Sequence, residues 1–197
     1  MTQDKKHRIM QAVERLFRTR RGDAVTLDEV ARKADVGKGT IYLYFSDKDD
    51  LIFQTAVAGF EEMCQLLRRD AAGDGTFRER LLRACENLSA FFRARRPLFR
   101  VILWEGERAS GGDGTGLRQR WRRRRKTLTE AMAAIIAQGM ESREVRPDIS
   151  ADILAEYLLG MLRTRSWELE DRPQSQRNHA AVVDLFLNGV GLPARRH

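Results

Sequence analysis

Cysteine and histidine are both scarce in this chain of 197 residues, and long apolar runs are missing altogether. Two cysteines, Cys64 and Cys85, cannot build a disulfide scaffold and fit a reducing cytoplasm. The three histidines, His7, His179 and His197, are too widely spaced to suggest a metal constellation. No apolar stretch approaches the ~18 residues that a membrane span needs. The N-terminus, MTQDKKHRIMQAVERLF, mixes charges into its apolar positions and does not read as a signal peptide. No nucleophile, base and orienter stand in a recognisable pattern. The glycines of Gly111-Gly112-Asp113-Gly114 lack the lysine and the strand context of a nucleotide loop. These shortages predict a cytoplasmic protein with no metal, no cofactor and no catalytic residue. With 42% hydrophobic and 32% charged residues, the chain is long enough to bury a sizeable core and stay soluble.

The net charge is +8, which suggests a polyanionic partner. Its placement tempers that suggestion. Residues 91–130 carry 12 basic and four acidic side chains, while the rest of the chain nearly balances. The excess centres on Arg118-Gln119-Arg120-Trp121-Arg122-Arg123-Arg124-Arg125-Lys126. Net charge therefore does not by itself locate a nucleic-acid surface.

Helical periodicity runs through almost the whole sequence, with no strand alternation. Ile9, Ala12, Val13, Leu16 and Phe17 follow the spacing of one buried helix face. Leu27, Val30, Ala31 and Ala34 repeat it over a shorter helix. Phe53, Val57, Phe60, Cys64 and Leu67 predict one long helix, and Phe77 to Phe92 another. Pro97 can open a helix through Leu98 to Trp104, because a first turn does not use the N–H that proline lacks. Ser110 to Gly116 reads as a flexible loop. Further helices are expected over about 117–141, 150–169 and 176–189. The prediction is an all-α protein of about nine helices.

The first fifty residues are the most informative. Thr26-Leu27-Asp28-Glu29 has the form of a capping box, in which threonine and glutamate reciprocally satisfy orphan N–H groups. Asp35-Val36-Gly37 makes a tight connection, since Asp tolerates left-handed backbone angles. A second helix over about Lys38 to Phe45 completes a helix-turn-helix. At 100° per residue, Ile41, Tyr44 and Phe45 share one side of it; Lys38, Gly39, Tyr42 and Leu43 share the other. The second side presents a cation, a bare backbone and a phenol, which suit phosphate approach and base-edge contact. Asp47 is placed to cap the next helix, with Asp50 at its third position and Lys48 at its start. There the dipole disfavours a cation and a nearby phosphate would favour it. Helix geometry alone leaves a structural hairpin in a bundle as the competing reading.

The run Val36-Gly37-Lys38-Gly39-Thr40-Ile41-Tyr42-Leu43-Tyr44-Phe45-Ser46-Asp47-Lys48-Asp49-Asp50-Leu51 resembles the signature of the TetR family of bacterial transcriptional regulators. Val25 to Ala31 is similar to the helix that precedes it. Asp35 stands where glycine is common, and Gly37 where serine often caps the second helix. The resemblance implies a homodimeric DNA-binding regulator, most often a repressor, that a small molecule releases from a palindromic operator. It implies a DNA-binding domain over 1–51 and a ligand-binding and dimerisation domain over 52–197. The matching DNA-contacting positions are Thr26, Lys38, Thr40, Tyr42, Tyr44 and Lys48, to which the bare backbone of Gly39 is added. Lys38 and Tyr42 would face bases; Thr26, Thr40, Tyr44 and Lys48 would hold phosphates. The expected partners are double-stranded operator DNA, a second copy of the chain and a hydrophobic or amphipathic inducer, with no membrane. The expected location is the cytoplasm, at the nucleoid. The alternative is a helical small-molecule-binding protein or enzyme whose helix-turn-helix is only structural.

In the remaining two-thirds, Phe60, Cys64, Phe92, Phe99, Trp104, Trp121, Tyr157 and Met161 are candidate pocket residues, with ordinary core packing as the other reading. Tyr157, Gly160, Met161, Leu185, Phe186 and Gly189 form apolar and small-residue stripes expected at a dimer interface of two helices per subunit. The seven cations of Arg118–Lys126 have three readings. They form a solvated face paired with Glu61, Glu62, Glu105 or Glu107, a site for an anionic ligand, or an auxiliary nucleic-acid contact. Cys64 and Cys85 read as buried small hydrophobes, with a redox pair as the alternative.

Overall fold

A computed structural model describes residues 2–19, 25–104 and 115–190. All the regular structure among them is helical, in ten α-helices. These are α1 (Thr2–Thr19), α2 (Leu27–Ala34), α3 (Lys38–Tyr42), α4 (Lys48–Ala56) and α5 (Phe60–Ala71). They continue as α6 (Phe77–Ala94), α7 (Arg96–Trp104), α8 (Thr115–Glu141), α9 (Ala151–Trp167) and α10 (His179–Val190). The expectation of an all-α fold holds.

The helix beyond the expected nine comes from one break. The apolar stripe from Phe53 to Leu67, expected as one long helix, is cut at Val57-Ala58-Gly59 into α4 and α5. Gly59 has φ +73°, a left-handed angle that a helix cannot contain. Phe53 and Phe60 still both point into apolar cores. Periodicity stays in phase across the break and so cannot reveal it. Three ends also differ from the sequence reading. The helix expected to Phe45 stops at Tyr42, after which the amides of Tyr44 and Phe45 both donate to the Ile41 carbonyl at 3.0 Å. The helix expected to Leu169 ends at Trp167. The last helix starts at His179 after a 3₁₀ turn over Gln174–Gln176, where Asn178 Oδ1 accepts from the Ala181 amide at 2.7 Å. The expected loop from Ser110 lies outside the described residues as far as Gly114, and Thr115 already opens α8.

The described residues fall into two compact units that are not contiguous in the chain. One comprises Met1–Gly59 with Ala94–Arg123, the other Phe60–Arg93 with Arg124–His197. In the first, α1 packs on α2, α4 and α7, and α4 packs on α7. Its core gathers Ile9, Val13, Phe17, Val30, Ile41, Phe45, Leu51, Phe53, Phe99 and Ile102. In the second, Leu67, Phe77, Leu81, Leu88, Met132, Ile135, Leu158 and Val183 are buried. Gly139 has a packing reason in that core. A Cβ there would stand 2.6 Å from Phe77 Cζ and 2.8 Å from a Val145 methyl, closer than carbon atoms approach.

Candidate nucleic-acid interface

The helix-turn-helix is assembled by local chemistry. The Thr26 Oγ1 accepts from the Glu29 amide at 3.3 Å, and Glu29 Oε2 accepts from the Thr26 amide at 3.0 Å. Both halves of the predicted capping box are thus made. At the other end of α2, Asp35 takes a left-handed conformation (φ +53°, ψ +56°), and the Val36 amide donates to Ala31 O at 3.0 Å. A residue that sequence reasoning missed secures this end. Arg8 of α1 donates through Nη2 to the carbonyls of Ala34 (2.8 Å) and Asp35 (3.0 Å) and pairs with the Asp35 carboxylate. A guanidinium at a helix C-terminus satisfies orphan carbonyls and complements the dipole. Its only sequence signal was a basic residue on α1 one position from the apolar stripe.

These anchors fix which way α3 faces. Ile41 and Phe45 are buried and Tyr44 is half-buried against Phe45, so their side is spent on the core. Lys38 and Gly39 are exposed, Tyr42 is 52% exposed and Leu43 is 80% exposed. Thr26 is exposed, and Thr40 and Lys48 are half-buried. A Cβ on Gly39 would meet nothing within 4 Å. Nothing among the described residues therefore requires that position to be glycine.

Lys38 is less free than its sequence position suggests. Its Nζ stands 2.9 Å from Asp28 Oδ2 of α2, and this hydrogen bond, with the attraction between the charges, raises the pKa of the ammonium. Asp47 Oδ1 accepts from the Asp50 amide at 2.7 Å and caps α4 as predicted, with Lys48 the first helical residue.

The basic run on α8 supplies a contact that no local pattern showed. Arg120 Nη2 lies 2.7 Å from Asp50 Oδ1, and the guanidinium sits over the Phe53 ring at 4.1 Å from its centroid. Burial raises the pKa of Asp50, but hydrogen bonds from Arg120, the Ser46 amide and Gln54 outweigh it and leave the net shift downward. Further along, Arg125 pairs with Glu156 and Lys126 reaches Glu130 at 4.0 Å. Of the expected carboxylate partners, neither Glu61 nor Glu62 pairs with this run among the described residues. Glu61 is within 3.7 Å of Arg68 instead, and Glu105 and Glu107 lie outside the described residues.

The candidate pocket residues divide between two aromatic clusters. In the second unit Phe60 meets Phe91 edge-on at 6.0 Å and Phe91 meets Phe92 at 5.5 Å, with Cys64 buried on the same helix as Phe60. In the first unit Phe99 packs edge-on against Trp121 at 4.9 Å. The Trp104 side chain lies outside the described residues. Met161 is half-buried, whereas Tyr157 is 63% exposed. On the stripes expected at an interface, Leu185 is 67% exposed, and Gly160 and Gly189 have open space where a Cβ would stand. Phe186 is buried within its own chain. Burial drives the thiol pKa up to about 11 for Cys64 and about 12 for Cys85, so neither is held as a reactive thiolate.

The family model described as "Bacterial regulatory proteins, tetR family" matches residues 9–55, the segment from α1 through α4. Over that segment the chain is a TetR-family DNA-binding region. It is 22% identical over 190 residues to the HTH-type transcriptional regulator YhgD of Bacillus subtilis, covering 95% of this chain and 96% of that one. Its fold is similar to that of the transcriptional regulator FadR from Bacillus subtilis, whose crystal structure holds stearoyl-CoA. The TM-score is 0.76 at 19% identity, over 93% of this chain and 98% of that one. The fatty acid degradation regulator FadR from Bacillus halodurans gives a TM-score of 0.73 at 17% identity, over 93% of each chain. Within the matched segment, α2 and α3 are the helix-turn-helix of a DNA-binding transcriptional regulator.

Proposed function

We propose that this TetR-family regulator is a cytoplasmic, nucleoid-associated homodimeric repressor that an amphipathic small molecule releases from a palindromic operator. DNA binding is assigned to residues 1–51, and ligand binding with dimerisation to 52–197. The observation that carries the DNA reading is the outward face of α3. Tyr42 and Leu43 are exposed beside Lys38 and an unobstructed Gly39 backbone. A purely structural hairpin gains nothing from turning a phenol and a leucine to water, whereas a major groove offers base edges and thymine methyls to both. Lys38 and Tyr42 are assigned to bases; Thr26, Thr40, Tyr44 and Lys48 to phosphates.

The interface is assigned to Tyr157, Gly160, Met161, Leu185 and Gly189, exposed or half-buried apolar and small residues that suit close helix packing. Phe186 supports it from within its own core. The ligand's apolar part is assigned to the Phe60, Cys64 and Phe92 region. The stearoyl-CoA held by the Bacillus subtilis regulator of similar fold supports an amphipathic ligand class. Release is a population shift: the dimer samples spacings of its two α3 helices, and the ligand stabilises one that does not match the operator.

Sequencing genomic fragments retained by the purified protein, followed by titration of the recovered site, tests this reading. The half-sites should lie one helical turn, about 34–36 Å, or a multiple apart. Tyr42→Ala should weaken specific binding by about 1–3 kcal/mol. Lys48→Ala should weaken all sequences alike and flatten the salt slope by ~1. Unchanged affinity in both variants would remove the assignment.

A further inference from the structure

Arg165 of α9 is 7% exposed, the only arginine among the buried residues described. Its Nε donates to the Arg177 carbonyl at 2.6 Å. No carboxylate among the described residues pairs with it. Its electrostatic surroundings are instead unfavourable. Burial first, then the like charges of Arg177 and Arg93, push its pKa down. A buried cation with no counter-charge is costly, and proteins ordinarily pair it, neutralise it or replace it by an apolar side chain.

Two polar atoms nearby are left in the same condition. His179 Nε2, at the start of α10, is buried without a hydrogen-bond partner, and the fields of Arg165 and Arg93 both reach that ring. Burial, then those two cations, lowers the histidine pKa to about 4, so the ring is neutral at physiological pH and can present an N–H. Ser89 Oγ on α6 is also buried and unpartnered. Ser89 stands one helical turn from both Cys85, which lies in the field of Arg165, and Arg93, which acts on Arg165 and His179. Two helices of one compact unit thus direct a guanidinium and an imidazole to one region of excess positive charge, and Ser89 stands on α6 between the two residues, Cys85 and Arg93, that interact with that region.

We infer that Arg165, Ser89 and His179 form an anion-binding site for the head group of the effector, a carboxylate or a phosphate ester. Arg93 and Arg177 supply the surrounding positive field. This inference rests on the proposal that the second unit senses an amphipathic small molecule. It moves the recognition of charge away from the Arg118–Lys126 run, where Arg120, Arg125 and Lys126 already have carboxylate partners. Buried guanidinium and hydroxyl donors favour a bound oxyanion through charge-assisted hydrogen bonds, and the absence of a competing carboxylate leaves them available.

The test uses the full-length dimer with dodecanoate, dodecyl phosphate and dodecanol as probes, below their micelle concentrations. Affinity is read by calorimetry and operator release by fluorescence anisotropy. At least one of the two anions should bind tenfold or more tightly than dodecanol, and the tighter of them identifies the head group. Arg165→Met should abolish that preference, leave dodecanol affinity unchanged and keep or raise the melting temperature, because it removes an unpaired buried charge. Ser89→Ala should reduce the preference without affecting the fold. A fall in melting temperature with the anion preference intact in Arg165→Met would make the arginine structural and overturn the site. Equal affinity for all three probes, or no binding of either anion, would overturn it as well. If dodecanol releases the operator as readily as the anions, the sensor reading stands and the anion site falls. If the anions bind in an Arg165-dependent manner without releasing operator DNA, the anion site stands and the inducer reading falls.

Discussion

The two compact units treat the same residue types in opposite ways. In the first, Arg120 is stacked on Phe53 and paired with Asp50, and Gly39 faces open space. In the second, Arg165 is buried without an acid, and Gly139 is pressed against Phe77. The first unit pairs the arginine that borders its core and turns an unmatched face outward, as a module that docks on a large rigid partner would. The second has filled most of its interior but left one charged region unmatched, as a sensor of a small molecule would. Its surface also differs in kind: α3 exposes a phenol and a leucine beside a cation, whereas α9 and α10 expose Ile153, Tyr157 and Leu185. The former mixture suits nucleic acid; the latter suits another protein surface.

The sharpest way to break this contrast is to place a charge on the second surface. Leu185→Glu should give a soluble monomer in sedimentation, and specific operator affinity should fall by two orders of magnitude or more, because one chain cannot hold both half-sites. A dimer that survives would place the interface elsewhere.

The paired glycines provide the next comparison. Gly139→Ala should cost about 1–3 kcal/mol in denaturant unfolding, since Phe77 and Val145 must move to admit the methyl group. Gly39→Ala should leave stability unchanged or raise it by about 0.5–1 kcal/mol, through better helix propensity, while weakening DNA binding. Equal effects of the two substitutions on stability would erase the distinction between inward and outward glycines.

Arg120→Ala sharpens the contrast between arginines by leaving the Asp50 carboxylate short of a donor, at a cost of about 1–2 kcal/mol near neutral pH. Because the folded pKa of Asp50 lies below its unfolded value, the stabilisation is present above the unfolded pKa. It is lost as the pH falls through the folded one. Unfolding measured from pH 7 to pH 3 should therefore show wild type and variant converging below about pH 4. A local effect is expected from Thr26→Ala, which removes one half of the capping box and should cost about 1 kcal/mol in unfolding, with a loss of DNA affinity that is the same for all sequences.

Much of the first unit was legible because its determinants are local. A capping box spans four residues, a left-handed Asp is tied to the adjoining turn, and the buried side of α3 follows from 100° per residue. The break at Gly59 was not legible, because the apolar stripe continues in phase on both sides of it. The partners of Arg8, Lys38 and Arg120 were not legible either, since they come from residues 27, 10 and 70 positions away.

The amino-acid sequence alone determined the helical class, the helix-turn-helix and the residues that turn outward on α3. All three follow from side-chain spacing within one or two helical turns and from a motif contained in sixteen consecutive residues. Only the tertiary structure decided which cations are paired and which are not. His179 was a lone histidine, and Arg165 one arginine among many. Their environment exists only once α6, α9 and α10 are packed, because desolvation and unpaired charge depend on what surrounds a side chain in space.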